Sequence, residues 1–92
     1  MPGFSLDPQL AADSIAVAEL PLSAVRLMRD ANYPWLLLVP RRPGLAEIVD
    51  LAAAERTQLM AEIAAASEAL RETVPCDKLN VAALGNMVRQ LH

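Results

Sequence analysis

Trp35-Leu36-Leu37-Leu38-Val39-Pro40-Arg41-Arg42-Pro43-Gly44 is the stretch whose reading decides the fold. Trp35 to Val39 is a continuous apolar run with no 3.6-residue stripe, the pattern of a strand buried on both faces, although a run this short is compatible with a buried helix. Its flanks favour the strand. Pro34 pushes Tyr33 towards extended geometry, and Pro40 would break a helix but is harmless at a strand end. Arg41-Arg42-Pro43-Gly44 then switches to charge and turn chemistry. The reading places this strand at the centre of a sheet, with neighbours on both sides supplied by the flanking segments.

Working back towards the N-terminus, Ser23 to Met28 alternates, with Val25 and Leu27 set to face a core and Arg26 and Met28 set to point away. Ser14 to Leu20 alternates as well and is closed by Pro21. Before it, Leu6 to Asp13 begins as a short helix, with Asp7 as N-cap and Pro8 at the first helical position. Three strands on short connections make an antiparallel meander.

Working forward, Leu45 to Val49 suits one helical turn. Ala53 to Val74 is built from strong helix formers. Leu59, Ile63, Ala66, Leu70 and Val74 fall at spacings of three or four and paint one face, with Glu55, Arg56, Glu62, Glu68 and Arg71 mainly elsewhere on the wheel. Pro75 ends this helix. Lys78 to Leu84 reads as a fourth strand, Gly85-Asn86 as a turn, and Met87 to His92 as the start of a fifth strand inside which the sequence stops. The expected fold class is α+β: an antiparallel sheet, meander plus C-terminal hairpin, with one long amphipathic helix packed on it.

The 92 residues make a single domain, 54% hydrophobic, which is a folded rather than a disordered composition. A net charge of -3 and a pI near 4.9 argue against a nucleic-acid binder, which would show a basic face. No apolar stretch reaches the ~18 residues of a membrane span, and the N-terminus lacks the regions of a secretory signal. These features imply a cytoplasmic protein with no membrane partner. Cys76 is alone, which leaves neither an intrachain disulfide nor a cysteine-based zinc site. No metal and no cofactor are expected.

The polar inventory is sparse. His92 is the one histidine, and on composition alone a terminal histidine is a solvated side chain. Asn80, Asn86 and Gln90 are neutral amides around a strand–turn–strand unit. On composition Asn86 is a left-handed turn residue and the other two face solvent.

Taken together, Tyr33 to Arg42, the helix carrying Leu59-Met60-Ala61-Glu62-Ile63, the string Leu79-Asn80-Val81-Ala82-Ala83-Leu84-Gly85-Asn86 and the end Gln90-Leu91-His92 resemble a bacterial histidine triad (HIT) protein. The resemblance extends over essentially the whole chain, and its most specific part is Leu79 to Asn86 followed by Gln90-Leu91-His92. It implies an α+β fold, a homodimer and nucleotide binding, with hydrolysis or transfer of nucleoside phosphates through a nucleotidyl-histidine. The family signature is His-x-His-x-His, with glutamine often at the first position in this subgroup. Gln90 then matches the first position and His92 the nucleophile, while the third histidine falls beyond the sequence. The domain, residues 1–92, would therefore lack the end of its last strand and the segment that follows.

The implied chemistry suits these residue types. Histidine's unperturbed pKa of ~6.5 leaves most imidazole neutral and nucleophilic at pH 7. Attack needs the other ring nitrogen held, usually by a backbone carbonyl. By the resemblance, Gln90 and Asn80 would meet the phosphate, Gly85 and Asn86 would present backbone N–H groups to it, and Asp30 would contact the ribose. The alternative is a catalytically inactive nucleotide-binding or structural module, because the motif is cut.

Overall fold

The computed structural model describes residues 3–92. Helix α1 (Pro8–Asp13) starts where its cap chemistry says it should. The Asp7 carboxylate accepts the Gln9 N–H at 2.8 Å, and Pro8 occupies the first turn, where a missing donor is harmless. The chain passes directly into strand β1 (Ser14–Glu19), followed by β2 (Ser23–Met28) and β3 (Leu36–Pro40). They form an antiparallel sheet in the order β1-β2-β3. Across it Ile15 faces Leu27, which faces Leu36, and Ala16 faces Arg26, which faces Leu37. A bulge at Val17 shifts the β1–β2 register between Ala16 and Ala18.

The meander is the expected one, but its middle strand is not. Among the described residues β2 is central and β3 pairs on one side only. The apolar run of β3 reports burial above and below the sheet, which is a different direction from pairing in its plane. Leu37 and Val39 pack on one face with Leu10 and Val88, with Met28, Trp35, Phe4 and Leu6 around them. Met28 thus joins a core instead of pointing away, because both faces of the sheet are covered, while Leu27 is 37% exposed. On the other side lies a second cluster of Leu22, Leu51, Leu59 and Leu91, with Leu45 and Ile63 against it.

Leu51 enters that cluster from a 3₁₀ turn at Ile48–Asp50, shifted from the turn expected at Leu45 to Val49. Its start is held by the Asp50 carboxylate, which accepts the N–H groups of Ala46 and Glu47 at 3.1 and 2.9 Å. Helix α2 (Ala53–Thr73) follows. Of its apolar stripe only Leu59 is buried, while Ile63, Ala66, Leu70 and Val74 are half-buried. The other buried residue is Glu62, which the wheel had set aside. Its carboxylate accepts the N–H groups of Leu22 and Ser23 at 2.7 and 2.9 Å and the Gln58 amide at 2.8 Å. Those three donors satisfy a charge that burial alone would penalise.

The α+β class holds, with the meander and α2 in place. The last hairpin differs from the expectation. The chain turns back around Gly85-Asn86, and the Leu84 N–H reaches the His92 carbonyl at 3.2 Å, but neither Lys78 to Leu84 nor Met87 to His92 is a strand. Neither Gly85 nor Asn86 has the positive φ that a tight type I′ hairpin requires. A two-stranded hairpin needs a face to bury against, and Val81, Leu84 and Met87 are 65%, 46% and 95% exposed. Alternation in the sequence has no partner surface to act on here. No helix of the described residues is long and apolar enough to cross a membrane.

Candidate functional site

His92 is held from behind. The residue before it, Leu91, is 3% exposed within the cluster beneath α2, and its N–H donates to the Leu45 carbonyl at 3.0 Å. That anchor sets the backbone from which the imidazole projects. His92 Nδ1 lies 2.7 Å from the Gln90 carbonyl oxygen. A carbonyl can only accept, so in the neutral ring Nδ1 carries the proton and Nε2 carries the lone pair. The arrangement is the one a histidine nucleophile needs, and it is made within three consecutive residues.

His92 lines a cavity of about 850 Å³, bounded by β3, by α2 from Leu59 to Leu70 and by the chain from Val74 to Leu84. Its size falls within the range of small-molecule sites, ~300–1,000 Å³. Trp35, Leu36, Leu70 and Val74 give it apolar walls, and Asn80 lines it as well. Of the residues singled out in the sequence, His92 and Asn80 therefore share one cavity. Tyr33 and Trp35 also line it and were not among the candidates. Their one sequence signal was the pair of aromatics flanking Pro34 at the mouth of the apolar run.

Four other candidates lie away from this cavity. Gln90 is committed at both ends of its amide, with Oε1 accepting the Asp7 N–H and Nε2 donating to the Ser5 carbonyl, each at 2.8 Å. It stitches the segment before α1 to the last residues of the chain, which leaves one N–H of its amide uncommitted. Asp30 organises the β2–β3 turn. Its carboxylate accepts the N–H groups of Asn32 and Tyr33 at 2.8 and 3.3 Å and the Trp35 indole N–H at 3.0 Å. The Asn32 N–H, with the Trp35 and Tyr33 donors, holds its carboxyl below the ordinary carboxylate value against the opposing push of desolvation. Gly85 and Asn86 are exposed at the tip of the turn. Among the described residues, no three His, Cys, Asp or Glu side chains gather where they could hold a metal ion.

Glu62 was missed, and a signal for it existed. It stands three residues after Leu59 and four before Ala66, which puts it on the apolar stripe itself. Burial pushes its carboxyl up, but the Gln58 amide and the Leu22 and Ser23 N–H groups outweigh that and hold it below the ordinary glutamate value.

The model of the HIT domain matches residues 9–92. The fold and sequence are similar to the histidine triad protein blr8122 from Bradyrhizobium japonicum, with a TM-score of 0.94 and 57% identity over 98% of this chain and 67% of that one. A histidine triad protein from Marinobacter aquaeolei VT8 is 46% identical over 96% of this chain and 64% of its own, with a TM-score of 0.91. The histidine triad protein SMc02904 from Sinorhizobium meliloti 1021 is 39% identical over 96% and 65%, with a TM-score of 0.93. The chain spans about two thirds of the length of these solved relatives. No curated protein matches it.

Proposed function

The chain belongs to the histidine triad (HIT) family, and we propose that it binds a nucleotide and hydrolyses or transfers a nucleoside phosphate, of the dinucleoside polyphosphate or phosphoramidate type, through His92. The observation that carries this reading is the His92 Nδ1 contact with the Gln90 carbonyl at 2.7 Å, which leaves Nε2 with its lone pair on a residue that lines a cavity. Nε2 attacks the α-phosphorus. An N–P bond forms as the bond to the leaving group breaks, and the leaving group takes the bonding pair. The Gln90 carbonyl, still accepting the Nδ1 proton, stabilises the positive charge that develops on the ring. Water then attacks the phosphorus and gives up a proton to solvent, and the imidazole departs neutral with the N–P bonding pair. In this reading Asn80, which lines the same cavity, donates to a phosphoryl oxygen.

A nucleoside phosphoramidate tests the proposal. Turnover and a nucleotidyl adduct seen by intact mass are expected, and both should vanish in His92→Ala. A His92→Ala protein that keeps the full rate would show that His92 is not the nucleophile.

A second reading, a module that binds nucleotide without turning it over, is favoured by Gln90. Its amide is held by Ser5 and Asp7 and does not line the cavity, where Asn80 is the one nominated phosphate ligand. Calorimetric binding of a nucleoside monophosphate without phosphoramidate cleavage would decide for it.

In the same proposal the protein acts in the cytoplasm as a homodimer. Support for the dimer is the exposed apolar side chains Val81, Leu84 and Met87. Light scattering that returns a monomer at tens of micromolar would exclude the dimer.

A further inference from the structure

A buried carboxylate on an otherwise apolar helix face calls for a reason, and Glu62 is 3% exposed. Among the described residues it pairs with no Lys or Arg. It grips two successive backbone N–H groups, those of Leu22 and Ser23, in the connection between β1 and β2. The same connection is held from the other side by Arg41. Its backbone N–H donates to the Leu22 carbonyl at 2.9 Å, and its guanidinium donates to the Leu20 carbonyl at 2.7 Å. The Leu22 backbone is thus fixed at both its N–H and its carbonyl. Its side chain, 2% exposed, packs in the cluster that also contains Leu59 and Leu91. Leu91 is the residue from which His92 projects.

We infer that Glu62 is a positioning residue for His92: by pinning Leu22 it sets one wall of the socket that holds Leu91, and so the place from which the imidazole meets the Gln90 carbonyl. The inference rests on the reading of His92 as nucleophile for its functional meaning, though the coupling itself is a property of the fold. Glutamate is suited to the task because its two oxygens accept from adjacent peptide groups at once, Oε2 from Leu22 and Oε1 from Ser23. Glutamine can replace only one of these acceptors, and its NH₂ would confront the other N–H.

The test compares four forms of the protein by NMR: native, Glu62→Gln, Leu22→Ala and Arg26→Ala. Two signals are followed, the hydrogen exchange of the Leu91 amide and the ¹⁵N shifts of the His92 ring, which report its tautomer. Arg26 bonds to Ser14 and Ala11 at the other end of the sheet, so Arg26→Ala is a destabilised control with no link to the socket. Glu62→Gln and Leu22→Ala are expected to speed Leu91 exchange by about tenfold through local opening and to shift the His92 ring away from the Nδ1–H form. Arg26→Ala should leave both signals as in the native protein. Native exchange and native ring shifts in Glu62→Gln would overturn the inference. If Glu62→Gln does not fold, the same native values in Leu22→Ala would overturn it. Loss of nucleotide binding with the coupling intact would instead remove the functional reading and leave the positioning role standing.

Discussion

The two halves of α2 carry one apolar stripe and meet different fates. In the first half Leu59 is 6% exposed, packed with Leu22, Leu51 and Leu91, and Glu62 ties the helix to the β1–β2 connection. In the second half Ala66, Leu70 and Val74 are only half-buried, because they look into the cavity that His92 also lines. Periodicity is equal in both, so what differs is the surface opposite. The first half is covered by side chains delivered by the β1–β2 connection and by Leu91, and only the outer edge of that cluster, at Leu59 and Ile63, reaches the cavity. The second faces the free edge of β3 and an arm that forms no ladder. A stripe shows which way a helix turns its apolar side, but the neighbour decides whether that side stabilises the fold or lines a site.

That contrast can be broken most severely at Leu59. Leu59→Asp would place an unpaired charge in the cluster and is expected to unfold the domain. Leu59→Ala should cost ~2–5 kcal/mol by urea denaturation. Equal losses from Leu59→Ala and Leu70→Ala would erase the distinction between the halves.

Next in size is Glu62. Glu62→Ala leaves two buried N–H groups without acceptors, each costing ~1–3 kcal/mol. Its pH dependence has a definite sign. The carboxyl is held below the ordinary glutamate value, so the contribution is fully present above that value, ~4.3, and is lost as pH falls through the lowered folded value. Native stability should therefore decline on acidification below about pH 4.3, and Glu62→Gln should flatten that part of the profile. An unchanged slope in Glu62→Gln would assign the acid sensitivity to other carboxylates.

Smaller still is Leu70→Asp. At a half-buried position on an open cavity the new carboxylate keeps access to water, and the loss should stay within the ~0.5–3 kcal/mol of ordinary substitutions. A folded Leu70→Asp protein with weakened nucleotide binding would mark this wall as part of the site. The smallest effect belongs to the outer face of the first half. Met60 is 64% exposed, and Met60→Lys should change stability by no more than ~0.5 kcal/mol.

Legibility of the sequence followed the range of the interactions involved. The Asp7 cap, the Pro8 start and the Ser23–Met28 strand appear where local chemistry placed them, and β3 and α2 are displaced by one residue at most at either end. Lys78 to Leu84 and Met87 to His92 alternate just as clearly, yet form no strands, because a ladder requires a neighbour that alternation cannot supply. In the candidate site the resemblance pointed to His92, and the carbonyl that orients its ring comes from two residues back. Gln90, by contrast, finds its partners at Ser5 and Asp7. Nothing in the local pattern around residue 90 indicates contacts 83 and 85 residues away.

By itself, then, the sequence determined the helix caps, the meander, the long helix and the family, because each of these rests on backbone preferences and side-chain periods within a few residues. Only the tertiary structure decided that β2 and not β3 is central, that Glu62 is buried, that Gln90 serves as a stitch and that His92 opens onto a cavity. Those outcomes depend on which distant surfaces meet. Burial and hydrogen-bond satisfaction are properties of the pair of surfaces, and neither member of the pair encodes them alone.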